Sequence, residues 1–460
     1  MKKDPDLLTD PIPQLIRRFA IPAIIAYIIS SLYNIVDQIF IGQGMGYLGN
    51  AATNVAFPAV TIANAIALTI GLGCASNFNL AMGQGDKERA GHFVTTAITM
   101  LIVCGVAFTI IVQIFMQPLL YAFGATPQTN GYATTYLGIT SLSFTFQMLA
   151  LAGSNIIRGD GSPTQSMIIQ ITGAILNTIL DPIFIFAFNM GIAGAAWATV
   201  ISQTVAGTMT LAYLRGFHTV HLPLHDFLHP SWTLFKRIFA LGFSSMIFQA
   251  SVILVQLVSN NLLRSYGTHS VYGSDIPLAV AGIVAKVFTI FSAFLLGASS
   301  GGQPIYGVNY GAGNNERVRQ TLKTTMAISI IMGVVATVIF EVFPRPIISL
   351  FGGGDELLMT YAVKYMRVYF STSVFCGLFV CINTFFPSVG EAKAAATESL
   401  FKQVILMVPL LFICTKIGGV DGIMYATPIT DIVTFGMCAF MLRRFMNNKL
   451  ISLDLVRQAE

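Results

Sequence analysis

Charge is the scarcest ingredient of this sequence. Only 10% of its 460 residues are Asp, Glu, Lys or Arg, against about 25% in a soluble domain. A chain so poor in charge cannot cover itself with a solvated surface, so lipid is the solvent for most of it. Cysteine is sparse too, and Cys74, Cys104, Cys376, Cys381, Cys414 and Cys438 all stand in apolar segments. That argues against a disulfide framework and a CxxC metal site, and leaves them as small packing residues. No histidine lies deep in an apolar run, so the paired histidines of an intramembrane enzyme are missing and the chain is read as a non-enzyme. A Walker motif is missing as well. Gly83-x-Gly85 and the Gly352–Gly354 run sit in helix-end loops with no strand before them, which does not support nucleotide binding. The first residues, with Pro5, Pro11, Pro13, Arg17 and Arg18, lack the early apolar core and cleavage site of a signal peptide.

What is abundant is apolar length. Hydrophobic residues make up 55% of the chain, and a spanning helix needs about 20 mostly apolar residues. Such runs are expected at 14–42, 51–78, 91–116, 132–156, 163–188, 191–215, 236–264, 276–303, 318–342, 358–386, 395–416 and 419–443. The expected fold is all-α and integral to the membrane, with twelve transmembrane helices in two pseudo-symmetric six-helix lobes. An even count places both termini on one side. Of the 25 basic residues, nineteen, among them Lys87, Arg89, Arg158, Arg317 and Lys402, fall at one set of ends and loops. Three (Arg264, Arg345, Lys416) fall at the other set, and three (Lys286, Lys364, Arg367) lie inside spans. The positive-inside rule then makes both termini cytoplasmic, with an inner-membrane location expected, and accounts for the basic loops without a nucleic-acid partner. The organisation reads as an N-terminal segment 1–13, an N-lobe 14–215, a cytoplasmic linker 216–235, a C-lobe 236–443 and a cytoplasmic tail 444–460.

The two lobes are a repeat. A shift of 228 residues (311 − 83) lays the Gly83–Arg89 run GQGDKER on the Gly311–Arg317 run GAGNNER. The same shift lays Phe123-Gly124 on Phe351-Gly352, and Gly191–Thr199 (GIAGAAWAT) on Gly419–Thr427 (GVDGIMYAT). With six spans per half the halves share an orientation, and rocking one against the other would open a central cleft to alternate sides.

Ionisable residues inside a span cost at least about 2.5–3.5 kcal/mol at mid-bilayer, so each is a functional candidate. The first half has Asp37 and Asp181. Counting along their spans puts both roughly 8–11 Å below the outer boundary. Asn177 lies one turn before Asp181, and Ser166, Gln170, Gly173, Asn177 and Asp181 form a stripe that must face the bundle interior. Thr199 and Tyr136 fall near the same level. Two such carboxylates cannot both ionise cheaply; the pair can hold a proton, or Na+ with Asn and Thr oxygens as further ligands. Read instead as structure, it is a polar knot tying helices together.

The second half is different. Its first span carries Ser245, Gln249, Gln256 and Asn260, polar but uncharged. Lys286 and Asp431 fall at equal depth and are expected to pair. Lys364 and Arg367 either snorkel or face the cleft. Phe57, Phe144, Phe146, Gln147 and Met148 are candidates for an adaptable cavity lining, with Gln256, Asn260 and Lys286 opposite. His218, His221, His225 and His229 would share one helix face able to bind a metal. Pro223 and Pro230 argue against that helix and for a solvated or interfacial segment.

At these residues the chain strongly resembles the MATE family, multidrug and toxic compound extrusion, over residues 10–445. The motifs are the Pro22 to Asp37 spacing, GQGD at Gly83, RGDGSP at Arg158–Pro163, NTILDPIFIF at Asn177–Phe186 and GAAWAT at Gly194–Thr199. Within the family it looks like the MepA and DinF branch of bacterial drug pumps. The resemblance implies secondary antiport of drug-like, mostly cationic and amphiphilic compounds, driven by H+ or Na+. It maps a cation site onto Asp37, Asn177, Asp181 and Thr199, with Tyr136 as aromatic neighbour and Pro22 as the bend of the first span. One departure stands out, since the NorM-type branch has acids in the seventh and tenth spans and this chain has none in the seventh and Lys364 and Arg367 in the tenth. Coupling is therefore expected in the N-lobe. No cofactor beyond the coupling ion is expected, and the partners are small cationic drugs and the bilayer, with a monomer as the working unit. The rival reading is a flippase or exporter of lipid-linked or anionic substrates of the same superfamily.

Overall fold

A computed structural model describes residues 6–223, 227, 231–273, 275–351 and 356–451. Among the described residues the chain is helical, with no strand. Twelve rods follow one another. They are α1 (Ile12–Gly46), α2 (Leu48–Gly83), α3 (Lys87–Ile114), α4 (Asn130–Gly159), α5 (Pro163–Ala187), α6 (Ile192–Leu214), α7 (Trp232–Gly267), α8 (Asp275–Gly311), α9 (Asn315–Val342), α10, α11 (392–418) and α12 (420–445). α10 is two pieces, Glu356–Phe370 and Ser373–Ser388, bent by 47°. Among the described residues nine helices are long and apolar enough to span a membrane, ten when the bent pair counts as one. Twelve is reached by two additions. Ala392–Lys449 is broken into two at Gly419, and α6, whose Thr, Ser and Gln residues dilute its apolarity, falls outside that set.

Two compact units are formed. Unit 1 holds Ile21–Met246; unit 2 holds Thr9–Ala20 and the chain from Ile247 onward. The first turns of α1 thus belong to unit 2, and the change of unit falls at Ile21, next to Pro22. Pro22 has no N–H for the Arg18 carbonyl, which weakens the helix at that point. α7 begins at Trp232, earlier than the 236 expected, and its first turns belong to unit 1.

The repeat is visible in backbone detail. α3 and α9 each run 28 residues, from Lys87 and from Asn315. Asp86 caps the first by accepting from the Arg89 N–H at 3.0 Å, and Asn314 caps the second by accepting from the Arg317 N–H at 3.3 Å. Gly85 and Gly313, just ahead of these caps, take φ of 78° and 70°, a left-handed conformation that glycine adopts without strain. Gly191 and Gly419 match in the same way at 57° and 61°. Gly352 lies outside the described residues.

In unit 1 the core is built on a ridge of small residues along α2, where Ala52, Ala56, Ala59, Ala63 and Ala67 are buried at helical spacing. Small residues let membrane helices approach closely. Asp160, buried at the α4–α5 turn, ties down the chain after α6. It accepts from the Tyr213 hydroxyl at 2.7 Å, from the His218 and Thr219 N–H groups at 3.0 Å each, and from Thr219 Oγ1 at 2.5 Å. His225 and His229 lie outside the described residues, and no group of metal-ligating side chains occurs among the described ones.

Candidate functional site

Four helices of unit 1 bring the site together. α1 supplies Asp37, α4 Tyr136, α5 Asn177 and Asp181, and α6 Thr199. Ser166, Gly173, Asn177 and Asp181 of the α5 stripe are all buried, so the stripe faces inward. Asn177 Nδ2 donates to Asp181 Oδ1 at 3.2 Å and to Thr199 Oγ1 at 3.5 Å. The Asp37 and Asp181 carboxyls lie close enough to act on each other electrostatically, and the Tyr136 hydroxyl lies near Thr199. Gln38 Nε2 donates to Asp37 Oδ2 at 3.4 Å, and Thr53 Oγ1 steadies Gln38 at 3.2 Å.

Local backbone features set this geometry. Immediately after Asp181 and Pro182 the helix widens into a π turn, Ile183–Ala187. Pro182 leaves the Thr178 carbonyl without its helical donor, and π turns recur at functional sites. α6 starts hard against this turn. A Cβ on Gly194 would stand 2.8 Å from the Phe184 carbonyl carbon, so only glycine permits the approach that brings Thr199 to Asn177.

The electrostatic balance is unusual. Asp181 is 0% and Asp37 8% exposed. Asp37 Oδ1, Asn177 Oδ1 and Asp181 Oδ2 are buried with no hydrogen-bond donor. Ionised carboxylates are acceptors only, so two that face each other stay unsatisfied until a proton or a cation comes between them. No Lys or Arg among the described residues acts on either acid. Tyr33, one turn before Asp37, lies within electrostatic reach of both acids; its spacing of four from Asp37 was the signal that would have found it.

Other expected residues fall elsewhere. Phe144 and Met148 are fully buried in the unit 1 core, Phe144 stacked on Phe108 at 5.4 Å. Gln147 Nε2 donates to Asn64 Oδ1 at 2.8 Å. Phe57 is exposed, as are Gln256, Asn260 and Lys286 of unit 2. The expected Lys286–Asp431 pair is not formed. Asp431 Oδ1 pairs with Lys402 Nζ at 2.9 Å, because equal depth does not fix the direction a side chain takes around the helix axis. Lys364 pairs with Asp421, and Arg367 with Glu341 at 3.6 Å, on the unit 2 surface.

A membrane-embedded helical chain of two repeated units, one of them enclosing a buried polar site, defines a transporter of the repeat-built kind. The chain belongs to the MatE family, whose profile matches residues 22–183 and again 245–413, once in each half. It is 24% identical over 434 residues to the multidrug export protein MepA of Staphylococcus haemolyticus, covering 92% of this chain and 90% of that one. It is 23% identical over 452 residues to an FAD transporter of Shewanella oneidensis, covering 96% and 97%. A solved multidrug resistance MATE transporter of the MOP superfamily, in an outward-facing conformation, shares the fold with a TM-score of 0.90 at 22% identity, covering 98% and 99%. The protein is thus an integral membrane protein of a multidrug efflux transporter family.

Proposed function

We propose that the protein is a secondary active antiporter that exports cationic and amphiphilic organic compounds in exchange for H+ or Na+ by alternating access. The observation that carries this reading is the buried Asp37–Asp181 pair, with one donorless oxygen on each acid and a third on Asn177, and no basic counter-charge. A monovalent cation supplies the missing partner, with Asn177 and Thr199 as further oxygen ligands and Tyr136 closing the side. Occupancy lowers affinity for a cationic drug, and drug binding lowers affinity for the cation by the same factor, as linkage requires. Pro22 is the point where α1 bends as occupancy changes. The asymmetry of basic residues supports cytoplasmic termini, and the bacterial relatives support a bacterial inner-membrane location. The partners are drug-like cations and the bilayer, the working unit is a monomer, and the coupling ion is the only cofactor.

A second reading is favoured by two observations: likeness to a flavin dinucleotide transporter, and the exposed Lys286 of unit 2. In it the cargo is anionic, either a dinucleotide or a lipid-linked pyrophosphate. Dye transport by proteoliposomes, with pH and Na+ gradients imposed separately, tests the first reading. Ethidium movement driven by one gradient and lost in Asp37→Asn and Asp181→Asn, both at normal protein levels, supports it. Gradient-independent ethidium movement sinks it, and transport of flavin dinucleotide but not ethidium favours the second.

A further inference from the structure

Unit 2 contains a second buried charge cluster, built from residues unlike those of unit 1. Glu398 and Lys402 lie one turn apart on α11, Lys402 being the second residue of a π-helical stretch, Phe401–Met407. Asp431, Thr434 and Cys438 form one stripe on α12. Thr372 stands at the break in α10. Lys402 Nζ pairs with Asp431 Oδ1 at 2.9 Å and rests 3.9 Å from the Phe379 ring centroid. Thr372 Oγ1 donates to Asp431 Oδ2 at 3.0 Å. Asp431 and Lys402 therefore satisfy each other. Glu398 remains: its residue is 0% exposed, Oε1 accepts from the Cys438 thiol at 2.8 Å, and Oε2 is buried with no partner. Thr434 Oγ1, on the same α12 stripe, is likewise buried without a partner.

The charge count sets the chemistry. Two buried acids, Glu398 and Asp431, and one base, Lys402, whose side chain is 11% exposed, leave one negative charge to be neutralised. A metal ion would need several oxygen ligands, yet one Glu398 oxygen is already occupied by a thiol. It would also sit beside the Lys402 ammonium, one helical turn away. A proton on Glu398 needs neither more ligands nor more room. The groups facing this acid and the Lys402–Asp431 pair from the elements around them are Cys376, Cys381 and Asn383 of α10, Tyr369 at the end of its first piece, and Cys438 of α12.

We propose that Glu398 is a second proton-exchange site, in unit 2, which takes up and releases one proton per transport cycle beside the Lys402–Asp431 pair. This rests on the antiport reading above, with H+ as the coupled ion. The reaction is a proton transfer alone: Glu398 Oε2–H loses its proton to water when the cargo binds and regains it when the cargo leaves.

The test counts protons released into weakly buffered solution as ethidium binds to the purified protein, read with a soluble pH-indicator dye. Glu398→Gln is expected to release one proton fewer per ethidium than wild type. Asp37→Asn combined with Asp181→Asn is expected to release only the Glu398 proton. Equal counts for Glu398→Gln and wild type overturn the inference and leave the antiport reading standing. Zero release from the double Asp variant overturns it too, whether or not Glu398→Gln folds. No release from wild type overturns proton exchange at both sites.

Discussion

Helices α2 and α8 occupy matching places in the two units, and along the first five matched buried positions one carries alanine where the other carries larger residues. On α2 the buried positions are Ala52, Ala56, Ala59, Ala63, Ala67, Ile70, Cys74 and Phe78. The same register on α8, 228 residues later, reads Val280, Val284, Val287, Phe291, Leu295, Ala298, Gly302 and Tyr306, all buried as well. On α2 the small residues let a neighbour's backbone in, with Gly71 so close to Ala152 that a Cβ would stand 2.6 Å from its Cα. On α8 the matching position of Ala63 carries a ring, Phe291, edge-on to the Phe340–Phe370 stack at 3.9 Å. The repeat keeps which positions are buried and not what is buried there. The charges follow the same rule. Asp37, Asn177 and Asp181 shift onto Ser265, Ile405 and Pro409, and Glu398, Lys402 and Asp431 shift back onto Gln170, Ala174 and Gln203. Unit 1 leaves its acids without a base, and unit 2 pairs one of its own.

This contrast can be broken or sharpened by substitution. Lys402→Met leaves Asp431 buried and uncompensated, and is expected to cost about 3–5 kcal/mol of stability, most of it recovered by adding Asp431→Leu. Asp181→Asn in unit 1 should cost far less. Equal losses on thermal unfolding in detergent would make the unit 1 acids a structural knot. Ala63→Phe, which writes the unit 2 residue into the unit 1 ridge, is expected to cost about 1–3 kcal/mol through overpacking. A neutral result in the same unfolding assay would show that α2 has room to spare. Asp86→Ala and Asn314→Ala remove caps of one geometry and should each cost about 0.5–2 kcal/mol, nearly equal to each other. Unequal losses would mean the two loops are not equivalent. Tyr136→Phe removes the hydroxyl near Thr199 and is expected to weaken cation binding by about 0.5–1.5 kcal/mol. The measure is the ion concentration for half-maximal efflux.

Much of this was legible in the sequence for physical reasons. The repeat showed itself at loops where Gly85, Gly191, Gly313 and Gly419 are held by their backbone angles. Asp37, Asn177, Asp181 and Thr199 were readable because charge inside an apolar run is costly and helical spacing fixes a shared face. Glu398 and Lys402 were hidden for the opposite reason. They stand in the first turns of the expected 395–416 span, where Lys402 reads as an end charge, whereas the helix buries Glu398 and turns Lys402 inward onto Asp431. Depth counting paired Lys286 with Asp431 because it is blind to rotation about the helix axis. Composition marked Phe144 and Met148 for a cavity lining, and packing placed them in the core.

One measurement bears most directly on unit 1 as the place where the ion is read. Proteoliposomes carrying wild type, Asp181→Asn or Glu398→Gln are given the same imposed pH or Na+ gradient, and ethidium movement is followed. The expected result is loss of the gradient response in Asp181→Asn by about 5- to 150-fold, the range of coupling free energies, with a gradient response retained in Glu398→Gln. An Asp181→Asn protein that is present at normal levels and responds to the gradient as wild type does would contradict it.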